Sequence, residues 1–183
     1  MRKLIVEAEV SLDGVVNHPD IWAKIFKYHS DDVVGHLDSL LASPDALILG
    51  RKTYEVFAQV WPARQGDMAK RINAMPKYVA SRTLKQPLTW NSALMQGDVA
   101  GEIRKLKKEQ GGSLLQYGVG ELTNTMLKAG LIDELQLIVF PFTLGKGERW
   151  FDILDSSHFR LLECRAFSSG AVLLRYRPDL AEK

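Results

Sequence analysis

Residues 47–55 read Leu-Ile-Leu-Gly-Arg-Lys-Thr-Tyr-Glu. The apolar run Leu47, Ile48, Leu49 has the composition of a buried strand. It stops at Gly50, and a helical pattern starts within about three residues, the spacing of a tight strand-to-helix connection. Arg51, Lys52 and Thr53 stand on that connection. A strand that delivers a glycine and two cations to a helix N-terminus builds an anion site. Free backbone N–H groups and the helix dipole attract negative charge, Gly50 leaves room for close approach, and the Arg51 guanidinium can grip two oxygens at once. This predicts the seat of a nucleotide phosphate at 50–53. The alternative is a turn with a solvated Arg and Lys.

Working outward, residues 3–10 alternate as a strand, with Val6, Ala8 and Val10 against Glu7, Glu9 and Ser11, before the turn Ser11-Leu12-Asp13-Gly14. Residues 15–29 read as irregular, rich in His, Pro, Asp and aromatics, and fit the border of a pocket. Ser30 is placed to cap a helix whose first turn carries Asp31 and Asp32 and whose apolar face is Val33, Val34, Leu37, Leu40 and Leu41. A strand at 46–49 then leads to a helix over 53–60. Residues 68–75 form a short helix, and 77–80 a strand that delivers Ser81-Arg82-Thr83. Asp98 caps a helix with Val99, Ile103 and Leu106 on one face. Strand 113–117 feeds Gly118-Val119-Gly120-Glu121 and a helix through Lys128. A strand over 134–140 and a hairpin at 159–177 complete the pattern.

Strands alternating with helices predict an α/β layer fold with a mostly parallel sheet, mixed at the edge where the hairpin joins. No linker, repeat or low-complexity tract divides the 183 residues, so one domain over 1–183 is expected. Ligands in such sheets bind beyond the carboxyl ends of the strands. Segments 11–14, 50–53, 81–83 and 118–121 all lie there. A dinucleotide across that edge would use the last three: glycines and helix N-termini for the pyrophosphate, arginine and hydroxyl groups for a 2′-phosphate.

Composition is that of an ordinary soluble globular protein, with 46% hydrophobic and 25% charged residues. The net charge of +2 argues against nucleic acid and anionic membranes as partners. The cluster Arg104-Lys105-Leu106-Lys107-Lys108 reads as the wet face of a helix. A lone cysteine, Cys164, excludes an internal disulfide and reads as a buried, inert thiol in an apolar strand. No run approaches the ~20 apolar residues of a membrane helix, and a cytosolic protein is expected. His18, His29, His36 and His158 lack ligand spacing with Cys or acids, so no metal is expected. Leu161, Leu162, Val172, Leu173 and Leu174 are apolar on both alternations, which fits a homodimer face or an inner strand.

The chain resembles the dihydrofolate reductase superfamily, and within it the reductase domain of riboflavin biosynthesis (the RibD C-terminal domain) in stand-alone form. The carrying pieces are Ser11-Leu12-Asp13-Gly14, LILGRKTYEVF at 47–57, KYVASRTL at 77–84, Gly118 to Leu122, and GLIDELQLIVFPFTLGKGERWF at 130–151. They fall in family order over nearly the whole chain. The resemblance implies a dihydrofolate reductase-like three-layer fold: a mixed, mainly parallel sheet flanked by helices, with a C-terminal antiparallel hairpin. It implies an NADPH-dependent reductase of a small heterocyclic or sugar-amine substrate, whose reference reaction reduces a ribosylamino pyrimidine. By analogy Gly50, Arg51, Lys52 and Thr53 meet the phosphates and Ser81, Arg82 and Thr83 the adenosine end. Gly118, Val119, Gly120, Glu121 and Leu122 line the pyrophosphate and nicotinamide side. Riboflavin-type reductases usually carry an acidic residue just before the Gly-Gly of the fourth-strand loop; here Tyr117 stands there, and Val119 replaces the second Gly.

Hydride delivery needs alignment of the cofactor and help in protonating the neighbouring atom, or in stabilising an iminium. Asp13, at the end of the first strand, is the candidate catalytic carboxylate, with a turn-forming Asp-Gly pair as the alternative. Asp31, Asp32 and Trp22 are the candidate substrate contacts; a carboxylate at 31 or 32 would instead suit a dihydrofolate or pterin reductase. A third reading is a nucleotide-binding module without turnover.

Overall fold

A computed structural model of the chain describes residues 1–179; residues 180–183 of the expected domain lie outside the described residues. In chain order the strands are β1 (Leu4–Ser11), β2 (Val15–Asn17), β3 (Pro44–Gly50), β4 (Lys77–Ala80), β5 (Ser92–Met95), β6 (Ser113–Tyr117), β7 (Glu134–Phe140), β8 (Glu148–Arg149), β9 (His158–Ala166) and β10 (Val172–Asp179). The helices are α1 (Ile21–Ile25), α2 (Asp31–Leu40), α3 (Arg51–Val60), α4 (Asp67–Ala74), α5 (Val99–Lys108), α6 (Glu121–Lys128) and α7 (Trp150–Ile153).

The main sheet has eight strands in the order β5-β4-β3-β6-β1-β7-β10-β9. The first six run parallel, and β10 and β9 are antiparallel to their neighbours. This is the mixed, mainly parallel sheet that the strand–helix alternation predicts. β1 is central, paired with β6 through Ile5↔Leu115 and Glu7↔Tyr117 and with β7 through Glu7↔Gln136 and Val10↔Val139.

Alternate β1 residues serve two different cores. Leu4, Val6, Ala8 and Val10 join Leu135, Leu137, Ile103 and Met126, under α5 and α6. On the other face the apolar packing is split. One cluster gathers Ile5, Leu47, Leu49, Tyr54, Ile72 and Val79 with α3 and α4. The other gathers Val33, Leu37, Ile138, Phe140 and Leu173 with α1 and α2. Both faces of the parallel strands are therefore covered, as such sheets require.

Several local expectations are corrected. Residues 15–29 are ordered into β2, α1 and a 3-10 turn at Phe26–Tyr28; β2 pairs with β8, so partners distant in sequence define it. β5 was not legible because Ser92–Met95 is short and bounded by Trp90 and Asn91 in left-handed backbone. α3 begins at Arg51, two residues before the expected start, with Gly50 as its N-cap. Ser30 makes no capping bond to the α2 backbone; its hydroxyl donates to Asp32 Oδ1 at 2.5 Å. Cys164 is exposed, not buried, because β9 is the edge strand and its residues remain largely open to solvent.

Lys107 also departs from the solvated face read from sequence. It follows Ile103 by one helical turn and is buried with it. Its ammonium donates to Leu131 O at 2.6 Å and pairs with the Asp133 carboxylate, which also accepts from Leu4 N at 2.7 Å. The stem fills the core while the charged head is tied to α6's exit and β1's start. Lys107→Ala is expected to destabilise the fold by about 2 kcal/mol, since hydrogen bonds to charged groups are worth roughly 1.5–3 kcal/mol, with Lys107→Met recovering part of the loss through its stem. Urea denaturation of the three proteins checks this.

Candidate functional site

Four loops converge where the parallel strands end. From one side of the sheet they are Ser81–Thr83 after β4, Gly50–Thr53 after β3, Gly118–Leu122 after β6 and Ser11–Gly14 after β1. The topology thus brings every sequence-predicted cofactor residue, and Asp13, to one edge.

At 50–53 and 118–122 the structure has glycines at the starts of two helices. Gly50 caps α3 and Gly120 caps α6, neither with a side-chain bond from the cap residue, and a Cβ on either glycine would meet nothing within 4 Å. Two helix N-termini therefore open onto free space with glycine at each cap. Gly118 has φ +80°, which favours glycine, and a Cβ there would lie 3.3 Å from Thr53 Oγ1. Thr53 and Gly118 thus abut across the β3–β6 junction. Gln116 Nε2 holds the loop by donating to Gly118 O and to Thr123 Oγ1, both at 2.7 Å, and Gly120 N donates to the same Thr123 hydroxyl at 3.1 Å. Val119 is buried and serves the core, while Leu122 packs partly against it.

The cations at this edge differ. Arg51 grips both oxygens of Glu55, each at 3.1 Å, along α3. Lys52 pairs with Glu148 at 2.8 Å, and Glu148 also accepts from Asn17 at 3.0 Å, so β2 and β8 are fastened to the start of α3. Arg82 extends into solvent, its side chain 92% exposed, 3.9 Å from the equally open Glu121. Ser81 is buried, and its hydroxyl accepts from Thr83 N and Leu84 N at 3.1 and 3.0 Å, shaping the turn that presents Arg82.

The carboxylates singled out in the sequence are bound up in the fold. Asp13 accepts from the Ser11 hydroxyl at 2.6 Å, Gly145 N at 2.8 Å and Leu144 N at 3.2 Å, and the Arg149 guanidinium lies 3.8 Å away. Desolvation pushes its carboxyl up, but the donors from Ser11, Gly145 and Leu144 outweigh it and hold the group below the ordinary carboxylate range. An ionised Asp13 suits stabilisation of a developing cation rather than proton donation. Asp32 accepts from Ser30, from Ser168 N at 2.7 Å and the Ser168 hydroxyl at 2.9 Å, and from Val33 N. Chiefly through the Ser30 hydroxyl and the Ser168 backbone, its carboxyl is lowered to about 2. It ties α2 to the β9–β10 turn, which lies at the same carboxyl edge on the β7–β10 side of the sheet. Asp31 is exposed in the same first turn. Trp22 is 39% exposed and stacks on Phe26 at 5.8 Å; Phe26 meets His29 edge-on at 5.3 Å, and His29 Nε2 lies 2.6 Å from Glu9 Oε1. Arg64 lies over both Phe26 and Trp61.

Sequence reasoning missed Glu7. It is 2% exposed and faces the seam between the two apolar clusters, in register with Tyr117. Burial first, and the neighbouring Glu9 second, push its carboxyl well above the ordinary range. Burial likewise pushes the Tyr117 hydroxyl up, reinforced by Glu7, Glu9 and Asp38. The available signal was position: β1 is flanked on both sides and covered on both faces, so its polar alternates could not reach water. On the opposite face, a cavity of about 470 Å³ lies between Val10, Leu137, Leu174, Phe159 and Phe151 and contains none of the predicted cofactor residues.

Because Glu7 is driven toward its neutral form by folding, the native state holds a proton that the unfolded chain releases. Stability therefore falls as pH rises from the ordinary carboxylate value of 4.5 through the raised folded value. Glu7→Gln should match wild type in stability below that window and exceed it above, by about 1.4 kcal/mol for each pH unit of the window crossed. Thermal melts of both proteins from pH 4 to 9 check the sign.

The RibD C-terminal domain family matches residues 2–173. The uncharacterized protein YyaP of Bacillus subtilis (strain 168) is 28% identical over 181 residues, covering 96% of this chain and 94% of that protein. Among solved structures, a putative riboflavin biosynthesis protein from Shewanella sp. PV-4 superposes with a TM-score of 0.69 at 21% identity, covering 97% of this chain and 99% of its own. The dihydrofolate reductase of Enterococcus faecalis, complexed with NADP(H) and RAB-propyl, superposes with a TM-score of 0.61 at 15% identity, covering 97% and 96% of the two chains. The structural likenesses show a shared fold.

Proposed function

The chain belongs to the RibD C-terminal domain family, and from that premise we propose that it is an NADPH-dependent oxidoreductase that transfers hydride to a small heterocyclic or sugar-amine substrate. The observation that carries this reading is the pair of glycine-capped helix N-termini, α3 and α6, opening side by side at the carboxyl edge of the parallel sheet, with the exposed Arg82 beside them, 3.9 Å from Glu121. Anionic groups are favoured there by N–H donors and by both dipoles. In this reading Gly50 to Thr53 and Gly118 to Leu122 hold the pyrophosphate, Ser81 to Thr83 the adenosine end, and Arg82 the 2′-phosphate.

Bound NADPH supplies the hydride. The chain's own residues align it and tune the charge around the acceptor carbon. Asp13, held ionised at the end of β1, stabilises positive charge developing on the substrate. The binding of Asp32 to the β9–β10 turn weighs against the pterin alternative, which needs a free carboxylate near that place. No helix among the described residues is long and apolar enough to cross a membrane.

NADPH at a hundredfold excess over its Kd should stabilise the protein by about 2.7 kcal/mol, and NADH at the same concentration by less. Arg82→Ala should remove most of the preference for NADPH and leave NADH binding nearly unchanged. Arg51→Ala should weaken both. Thermal shift with each dinucleotide checks this, and no shift with either would undo the reductase reading.

The edge strand β9 exposes Leu161 (51%) and Leu162 (45%) beside Cys164, and an open apolar edge is a site for pairing with another strand. We take it as the face of a homodimer. Sedimentation at micromolar concentration should give a dimer, and Leu161→Lys with Leu162→Lys a monomer; a monomeric wild type would sink this.

A further inference from the structure

On the α5–α6 face the sheet is wider than its helical cover. α5 and α6 pack over β1 and β7. β10 and β9 continue beyond them with half-buried apolar residues on that face: Leu174 and Tyr176 on β10, Phe159 on β9. The chain between β8 and β9 crosses this stretch as α7 and residues 154–157, and between it and the sheet lies the cavity of about 470 Å³. Leu137 and Leu174 form its floor, Phe159 and Tyr176 one end, and Trp150 and Phe151 its cover; no residue of α5 or α6 lines it. The cover is fastened at both ends. Trp150 N donates to Gly14 O at 3.0 Å, Asp155 N donates to Asn124 Oδ1 at 3.2 Å, and the Asp155 carboxylate pairs with Lys128 at 2.5 Å. The fold itself thus holds the space open.

The walls select the class of molecule that fits. The volume falls within the roughly 300–1,000 Å³ of small-molecule pockets, and an apolar cavity of about 150 Å³ already takes a benzene ring. No carboxylate, lysine or arginine lines it, so a charged ligand would lose its hydration without gaining a counter-ion. Aromatic pairs stand at the cover and at one end. Trp150 meets Phe151 edge-on at 5.5 Å, and Phe159 meets Tyr176 edge-on at 6.2 Å. A ring set beside such pairs gains edge-to-face contact beyond the area it buries. Polar groups in the lining are few. The Ser11 hydroxyl is used twice, donating to Asp13 Oδ1 and accepting from Val15 N. Ser157 donates to Asp155 O at 3.2 Å, and His158 is exposed, in register with Asp179. The Tyr176 hydroxyl has no hydrogen-bond partner among the described residues, so one polar substituent on a bound ring can be met.

We propose that the cavity beneath α7 is a binding site for a small uncharged aromatic molecule of one or two fused rings, separate from the cofactor edge, and that the turn carrying Asp13 senses its occupant. The second part follows from a shared wall. Ser11, Leu12 and Gly14 line the cavity, and Asp13 stands among them without lining it. Gly14 has φ +77°, and a Cβ there would lie 2.1 Å from the Phe151 ring, so the cover rests directly on the turn. Ser11 donates to Asp13 at 2.6 Å, and Leu144 N and Gly145 N complete the carboxylate's donors. A ring that displaces Phe151 acts on Gly14, and through the turn on the donors around Asp13. That occupancy tunes hydride transfer rests on the reductase reading; the binding site does not.

The competing occupant is a second copy of the chain, because the exposed Leu161 of β9 is in register with Tyr176. Most of the cavity, however, lies inward of β9, over β1, β7 and β10 and under α7. Strand-to-strand pairing at the β9 edge lengthens the sheet beside the cavity and leaves its interior unfilled.

The test uses the full chain at pH 7 with 2-naphthol, a neutral two-ring probe, and 2-naphthalenesulfonate, the same rings with a fixed charge. Dissociation constants come from isothermal titration calorimetry, and amide-resolved NMR spectra follow Leu144 and Gly145, whose N–H groups donate to Asp13. Wild type should bind 2-naphthol about tenfold or more tightly than the sulfonate, and the bound probe should shift both amides. Leu174→Trp and Val139→Phe fill the cavity from two different strands. Each should lose about tenfold or more in affinity, show no probe-induced shift at the two amides, and keep the wild-type response to NADPH. Tyr176→Phe should weaken 2-naphthol several-fold. No wild-type binding, equal binding of the sulfonate, or wild-type affinity in either filled variant that folds would overturn the site. Binding confined to a protein carrying Leu161→Lys and Leu162→Lys would overturn it too, by showing that a second copy covers the mouth. Binding that moves neither amide would overturn the link to Asp13. Absence of an NADPH shift in wild type would instead fell the reductase reading, and the 2-naphthol titration would still judge the site.

Discussion

The fold depends on β1 lying between β6 and β7 with both pairings parallel. Parallel pairing forces each return through a crossover, so helices must cover the sheet's two faces. It also sends every strand's carboxyl end to the same edge. Gly50, Arg82, Gly118 and Asp13 are far apart in the chain, yet the direction of four strands suffices to gather them. The site is thus a consequence of strand polarity before any side chain is considered. Its helix dipoles, from α3 and α6, come with the same geometry.

Much of this was legible because it is local. Leu47–Leu49 reads as a strand that stops at Gly50, and Lys77–Ala80, Ser113–Tyr117 and Glu134–Phe140 fall at the strands observed. What was not legible is relational. β2 exists because Val15 and Asn17 meet Arg149 and Glu148, over 130 residues away. Lys107 looks solvated in a run of cations, but its helical phase with Ile103 turns it inward onto Asp133. Cys164 looks buried in an apolar strand, but the strand is the last of the sheet and nothing among the described residues covers it. The glycines and cations of 50–53, 81–83 and 118–121 fall at the carboxyl edge as the sequence pattern implies, whereas Glu7 reads as the wet alternate of a strand that has no wet face.

The C-terminal hairpin shows how the sheet accommodates its mixed edge. β10 pairs antiparallel with β7, and its Arg175 neutralises Glu134 and Glu163 together. A guanidinium between two carboxylates satisfies groups that would otherwise be stranded between strands. Asp32 performs a related task from outside, clasping the Ser168 turn to α2. The hairpin is thus fixed by ionic and hydrogen-bonded fasteners at its turn and its middle, while Leu161, Leu162 and Cys164 of β9 stay exposed.

Three carboxylates on one scaffold illustrate how environment assigns roles. Asp13 and Asp32 sit where backbone N–H groups and serine hydroxyls converge, and both are held ionised. Glu7 sits where no donor reaches and where Glu9 is the nearest titratable neighbour on its strand, and it is driven toward the neutral acid. The divergence follows from geometry: loop carboxylates fold back on free N–H groups, while a carboxylate in mid-strand finds its neighbours' N–H groups already committed to the ladder. Glu134, at the start of β7, finds a side-chain partner in Arg175, whereas Glu7 in mid-strand does not. Environments that push carboxyl groups apart in this way separate fixed charge from proton-bearing donor. In this chain the fixed charge lies in the turn just after β1 and the acid driven toward neutrality in the middle of that strand, around which the sheet is built.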